Sequence, residues 1–141
     1  MAAVTARFLA DKSALARMPD EAVFQRLSPL IEAGEVATCA IVELEVLFSA
    51  RSHADHVRTC ARRELAYERI ALSEGQFERA IDVQSELARS GRHRLPIPDL
   101  VIAAVAEAAG LVVLHHDADF DTIASVTGQP VEWVVPRGTV A

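Results

Sequence analysis

Two cysteines, Cys39 and Cys60, are all the chain has, and they stand in neither a CxxC nor a Cys/His spacing. That excludes a disulfide framework, suggests no zinc site, and leaves two thiols expected to be reduced and buried. No stretch approaches the roughly 20 apolar residues of a membrane span, and the N-terminus has no long apolar region of the signal-peptide kind. A cytoplasmic protein with no membrane partner is the expectation. Lysine is nearly missing, for among the 14 basic residues only Lys12 is one and the others are arginine. The net charge of -6 argues against a protein that merely coats nucleic acid. It leaves room for an acidic site with arginines placed elsewhere. No repeat, linker or low-complexity tract interrupts the 141 residues, of which 51% are hydrophobic. Residues 1–141 are therefore read as one domain, large enough to bury a core without staples.

What is present alternates short apolar runs with longer helical stretches, the pattern of an α/β layer on a mostly parallel sheet. Val4 to Asp11 reads as a first strand ending in a carboxylate, followed by a helical turn at Lys12 to Leu15. Pro19–Leu27 and Ser28–Ala33 read as two joined helical pieces, because Ser28 before Pro29 is a cap-then-first-turn pattern. Val36 to Thr38 is a second strand. Cys39 to Ala50 is helical and apolar on nearly every face, which predicts burial of most of them. Arg51 to Arg69 is a helix carrying Arg58 and Arg62 on one face, read first as solvated and second as a phosphate-contacting stripe. After a short strand at Ile70 to Leu72, Ser73 and Gln76 form a capping box. The helix behind it is expected to bury Phe77, Ala80, Ile81 and Leu87. A basic loop, Arg89 to Arg94, leads into Pro96. Asp99 then opens a helix as a cap or first-turn residue, and Gly110 closes it. Leu111 to Leu114 is a buried strand, Phe120 to Ala124 starts a last helix, and Val131 to Val135 is a final strand with Trp133 as a packing residue.

The chemistry lies in the acids. Asp117 and Asp119 fall just past the carboxyl end of a buried strand, where open α/β sheets bind ligands. Asp99 and Asp117 are read as parts of one metal-binding acidic cluster. Asp11 alone is better explained as a helix cap worth about 1 kcal/mol. Glu43 and Glu45 share an apolar helix but point about 200° apart, so they cannot serve one cluster through the same face. An ionised carboxylate in such surroundings costs several kcal/mol unless a cation or donor meets it. One of the two is a ligand candidate; a salt bridge or an exposed edge explains either equally well. Gathered carboxylates repel unless a divalent cation sits among them. With no His or Cys cluster to offer a softer site, Mg2+ or Mn2+ is the natural guest, and phosphodiester hydrolysis the best-fitting reaction. His115 and His116, at the end of a buried strand, are read as structural rather than as acid/base groups.

Four segments taken in order carry a resemblance: Leu9-Ala10-Asp11-Lys12-Ser13, Leu44-Glu45-Val46-Leu47-Phe48-Ser49, Ile97 to Ala104 around Asp99, and Leu114-His115-His116-Asp117-Ala118-Asp119-Phe120. Together they span nearly the whole chain. The sequence resembles PIN-domain ribonucleases, and specifically the VapC toxins of type II toxin-antitoxin pairs. The resemblance implies a three-layer α/β/α sandwich with a short, mostly parallel central sheet. It implies catalytic acids at Asp11, Glu45, Asp99 and Asp117, with Asp11, Asp99, Asp117 and the accessory Asp119 holding Mg2+ or Mn2+. Glu45 is chosen over Glu43 because the family's Glu-Leu-Leu-Tyr-Gly matches Glu45 to Ser49 better. It further implies an endoribonuclease acting on structured RNA such as transfer or ribosomal RNA, a homodimer, and a cognate VapB-type antitoxin whose tail blocks the acidic groove. Ser49 stands where the family usually has glycine, and Lys12 where it has threonine or serine.

Other classes fit less well. A haloacid-dehalogenase pattern wants a second aspartate where Ser13 stands, and a response-regulator receiver wants a distant lysine, whereas the only lysine is Lys12. A PIN-fold RNA-processing nuclease outside toxin-antitoxin systems, or a non-catalytic interaction module on the same fold, are the remaining alternatives.

Overall fold

The computed structural model describes residues 4–141. Five strands form one sheet in the order β3-β2-β1-β4-β5, every neighbouring pair parallel. In chain order the elements are β1 (Phe8–Ala10), α1 (Lys12–Leu15), α2 (Glu21–Glu32), β2 (Val36–Thr38), α3 (Ala40–Leu47), α4 (His53–Ala66), β3 (Glu68–Arg69), α5 (Glu74–Ala88), α6 (Ile97–Ala109), β4 (Val112–His115), α7 (Ala118–Thr127) and β5 (Val131–Trp133). Alternation along the strands sends successive residues to opposite faces. Leu9 and Val113 pack with residues of α3, α5, α6 and α7, while Phe8, Ala10, Val36 and Leu114 pack with α1, α2, Val134 and Val135. Two cores separated by one sheet make the three-layer α/β/α sandwich.

Topology fixes where a site can form. From β1 the chain winds through β2 to β3 on one side and then returns to β4 and β5 on the other, so the winding reverses between β1 and β4. That switch point opens a crevice at the carboxyl ends of the two strands. Asp11 follows β1 directly and Asp117 lies two residues past the end of β4, and the Asp11 N–H donates to the Leu114 carbonyl at 2.9 Å.

Several elements depart from the sequence reading. The stretch around Ser28–Pro29 is one continuous helix, α2, with Pro29 inside it. Proline cannot donate and its ring crowds the carbonyl four residues back; its own carbonyl still accepts from Ala33 at 3.0 Å, and Leu27 of the same helix is wholly buried. Helix α6 is not among these departures: Pro96 is its N-cap, and Pro98 and Asp99 stand in its first turn, the first-turn place expected of Asp99. Gly110 closes it in the left-handed region at φ 70°, as expected. Strand β3 lies at Glu68–Arg69 rather than at 70–72, and Ile70 still donates to the Thr38 carbonyl. Two burial expectations fail. On α3, Leu44 and Phe48 are 67% and 87% exposed, and on α5, Phe77 and Ile81 are exposed as well. Apolar composition marks a surface that avoids water without saying whether the same chain covers it. Of the two free thiols, Cys39 is buried and Cys60 only partly so. Among the described residues no helix is long and apolar enough to cross a membrane.

Candidate metal centre

Asp11 is the last extended residue after β1 and caps α1. Its Oδ2 accepts from the Ser13 N–H at 2.9 Å, while Oδ1 is buried with no hydrogen-bond partner. The capping role expected of it is therefore present, and it leaves one carboxylate oxygen free. Ser13 also links the neighbouring strand, since its Oγ accepts from the His116 N–H at 2.9 Å. The motif Asp-x-Ser was visible in the sequence, but this second contact depends on the register of β1 against β4.

Asp99 stands in the first turn of α6 and is 6% exposed. Its Oδ2 has no partner. Asp117 is the N-cap of α7, where its Oδ1 accepts from the Asp119 N–H at 2.9 Å. Asp99, Asp117 and Asp119 each offer an oxygen within 4.8 Å of the others. Asp11 and Glu45 are not in that tightest group, yet both charges act on Asp99. Burial first, and then the charges of Asp11, Asp117, Glu45 and Asp119, push the Asp99 carboxyl from 3.8 up to about 8. Burial and the neighbouring Asp117 also raise Asp119.

The two glutamates of α3 separate cleanly. Glu43 faces away from the cluster and is held by Arg63 through Nε at 2.8 Å and Nη2 at 2.9 Å, and by the Thr38 hydroxyl. Burial would raise its carboxyl, but these donors outweigh that and hold it below the usual range. Glu45 has no such partner. Its Oε1 is buried and unpaired; burial and then Asp11 raise its pKa, with Lys12 opposing. Lys12 is itself tethered, its Nζ 3.1 Å from the Ser49 Oγ. The two positions that differ from the family pattern thus touch each other.

His115 is fully buried, and burial lowers its pKa, so the ring is neutral. This agrees with a structural role. In the arginine-rich stretches, Arg58 lies near Asp55, and Arg92 donates to the Ser90 and Ser125 hydroxyls. Arg63, which the sequence did not single out, is the buried one. Only the packing of α4 against α3 reveals its partner.

Among these acids the donor set is all oxygen, three of its oxygens are buried without a partner, and one carboxyl is held far above its ordinary pKa. Such a set fits a hard divalent cation, whose charge would remove the mutual repulsion.

Comparison with known proteins agrees with the geometry. The PIN domain family matches residues 9–126. Ribonuclease VapC21 of Mycobacterium tuberculosis is 47% identical over 137 residues, covering 96% of this chain and 99% of that protein. Ribonuclease VapC51 of the same species is 44% identical, covering 95% and 97%. Among solved structures, VapBC from Salmonella typhimurium bound to DNA matches with TM-score 0.72 at 20% identity, over 93% of this chain and 100% of that one. A chain of VapBC-5 from Mycobacterium tuberculosis matches with TM-score 0.60 at 26% identity, over 91% and 97%. The fold is that of a PIN-domain protein. The chain belongs to the PIN-domain family and, within it, to the VapC group.

Proposed function

We propose that this protein, acting as one domain, is a cytoplasmic, metal-dependent endoribonuclease and the toxin of a type II toxin-antitoxin pair. The observation that carries the reading is the convergence of four carboxylates, Asp11 after β1, Glu45 on α3, and Asp117 and Asp119 at the start of α7, around a buried Asp99 whose carboxyl is pushed to about 8. A divalent cation among them would offset the cost of that crowding. Asp11, Asp99 and Asp117, with Asp119 beside them, would hold Mg2+ or Mn2+. When bound, the cation supplies Lewis acidity toward a phosphate oxygen and toward water.

The residues have separate tasks around that centre. Glu45, with its unpaired oxygen, accepts a proton from the attacking water. Asp11 and Asp117 would hold the cation between two strand ends, and their own backbones are held by Leu114 and by the His115 ring. Lys12, beside Glu45 at the rim, faces the anionic substrate. The relatives carry the name ribonuclease, which supports RNA as that substrate, with structured transfer or ribosomal RNA as its class.

Two apolar surfaces support partners. A cleft of 480 Å3 between α1, α2, α3 and α4 is lined by Leu15, Met18, Ile31 and Val46, with Arg62 also at the cleft; it suits a segment of a VapB-type antitoxin, and the solved neighbours are toxin-antitoxin complexes. Exposed Leu44, Phe48, Ile81 and Ile97 on α3, α5 and α6 supply a face for a homodimer.

The test is incubation of purified protein with total RNA in Mg2+, in Mn2+ and in chelator, beside Asp99→Asn. Cleavage that needs the cation and is lost in the variant is expected. Metal-independent cleavage, or equal cleavage by the variant, would overturn the assignment.

A further inference from the structure

Behind the acidic cluster lies a contact chain that the proposed reaction does not use. The backbone N–H of Asp117 donates to His115 Nδ1 at 3.1 Å. With Nδ1 accepting, the ring's hydrogen lies on Nε2, a buried atom without a hydrogen-bond partner whose nearest carboxylate oxygen is Asp121 Oδ1 at 3.7 Å, a contact rather than a hydrogen bond. The other oxygen of Asp121 accepts from the indole Nε1 of Trp133 at 2.9 Å. The His115 ring is packed between Phe120 and Trp133, at centroid distances of 5.2 and 5.1 Å. Asp121 is in the first turn of α7 together with Asp119. The chain Trp133–Asp121–His115–Asp117 therefore joins β5, α7 and the end of β4 at the base of the two carboxylates that meet Asp99.

We infer that Asp121, His115 and Trp133 are positioning residues that set the Asp117 and Asp119 carboxylates for cation binding. None of the three offers an atom to the cluster. Their effect is to fix the turn between β4 and α7, so that the two aspartates present their oxygens without rearranging. Groups that orient metal-binding side chains in this way are worth about 10- to 100-fold in affinity. The inference rests on the cation reading above.

The experiment is calorimetric titration of the full chain with Mn2+, together with a Mg2+ titration followed by the single tryptophan indole resonance. Asp121→Ala is expected to weaken Mn2+ binding about tenfold or more, and to abolish the indole shift that Mg2+ induces in the wild type. Asp121→Asn keeps an acceptor for Trp133, and His115→Asn keeps a side-chain oxygen two residues before the Asp117 N–H. Both should bind within about threefold of wild type, whatever each does to the unfolding midpoint, whereas His115→Leu should fall with Asp121→Ala. Wild-type affinity in Asp121→Ala would overturn the inference. So would an Asp121→Asn variant as weak as Asp121→Ala, because the charge of Asp121 and not its contacts would then be responsible. A wild type that binds no Mn2+ would overturn the cation reading and this inference with it.

Discussion

Asp99→Asn is the most informative single substitution, because it should make the protein more stable and less able to use a cation. In the metal-free fold the Asp99 carboxyl is raised from 3.8 to about 8. Between those values the folded chain binds more protons than the unfolded one, so stability falls as pH rises from about 4 to about 8 and levels off above. Each unit is worth about 1.4 kcal/mol, which sets a ceiling of about 4 kcal/mol at pH 7. Water entry and small movements of the β4–α7 turn relieve part of it. A neutral amide escapes the repulsion altogether and can donate to the neighbouring carboxylates. The expected gain in chelator at pH 7.5 is about 1–3 kcal/mol, or roughly 3–9 °C in unfolding midpoint for a chain of this length. The gain should shrink toward pH 4, where the folded wild-type carboxyl is protonated and the unfolded one is close to half-protonated.

Saturating Mg2+ should act unequally on the two proteins. At 100 times its dissociation constant a ligand stabilises by about 2.7 kcal/mol, and the wild type should show an increase of that order. The variant, lacking one anionic oxygen pair at the centre, should show little. Thermal unfolding from pH 5 to 9, with chelator and with Mg2+, reads both effects. An Asp99→Asn protein no more stable than wild type at pH 7.5 in chelator, with the same pH slope, would refute the account of the site as a repulsive cluster awaiting a cation.

The remaining predictions concern neighbouring positions. Glu45→Gln should abolish RNA cleavage while the unfolding midpoint holds or rises. Glu43→Gln should lower stability by about 3 kcal/mol or more, since it leaves the buried Arg63 charge, 7% exposed, without its carboxylate; chemical denaturation checks this. Lys12→Ala removes the charge that opposes the rise of Glu45, so the acidic limb of the pH–cleavage profile should move to higher pH, and Ser49→Ala should move it less in the same direction. Gly110→Ala places a side chain at φ 70° with nothing within 4 Å of the added atom. Only backbone strain acts there, and the midpoint should fall by about 3 °C for roughly 1 kcal/mol.

Much of the site was legible because its acids sit at places where local rules converge. Asp11 ends an apolar strand run, Asp117 follows another, and Asp99 comes after two prolines that start a helix, so each could be located from residues within a few positions of it. Capping arguments alone gave Asp11 to its helix, and they were right, since one oxygen does cap α1. The other oxygen is free because capping uses only one. Sequence reasoning failed where the answer depends on distant elements. Arg63 is one of several arginines on α4 until α3 lies against it. Phe48 and Ile81 read as core because hydrophobic periodicity records avoidance of water and contains no information about which chain provides the cover.

Helix α3 shows why the choice between its glutamates needed both sources. Glu43 and Glu45 lie two residues apart in the same apolar helix, and composition treats them alike. The fold gives the first a bidentate arginine and a hydroxyl and the second an unpaired oxygen beside Asp11. A buried carboxylate with three good hydrogen bonds is already neutralised, and drawing it toward a cation would strand Arg63 inside the protein. A carboxylate with none is destabilising until something positive arrives. On the proposed function the pair divides stability from reactivity along one helix: Glu43 anchors α3 to α4, and that anchor would hold Glu45 in a position it would not choose alone. Loss of the anchor should accordingly reach the site through Glu45, so that any Glu43 variant stable enough to fold cleaves more slowly at unchanged Mn2+ affinity.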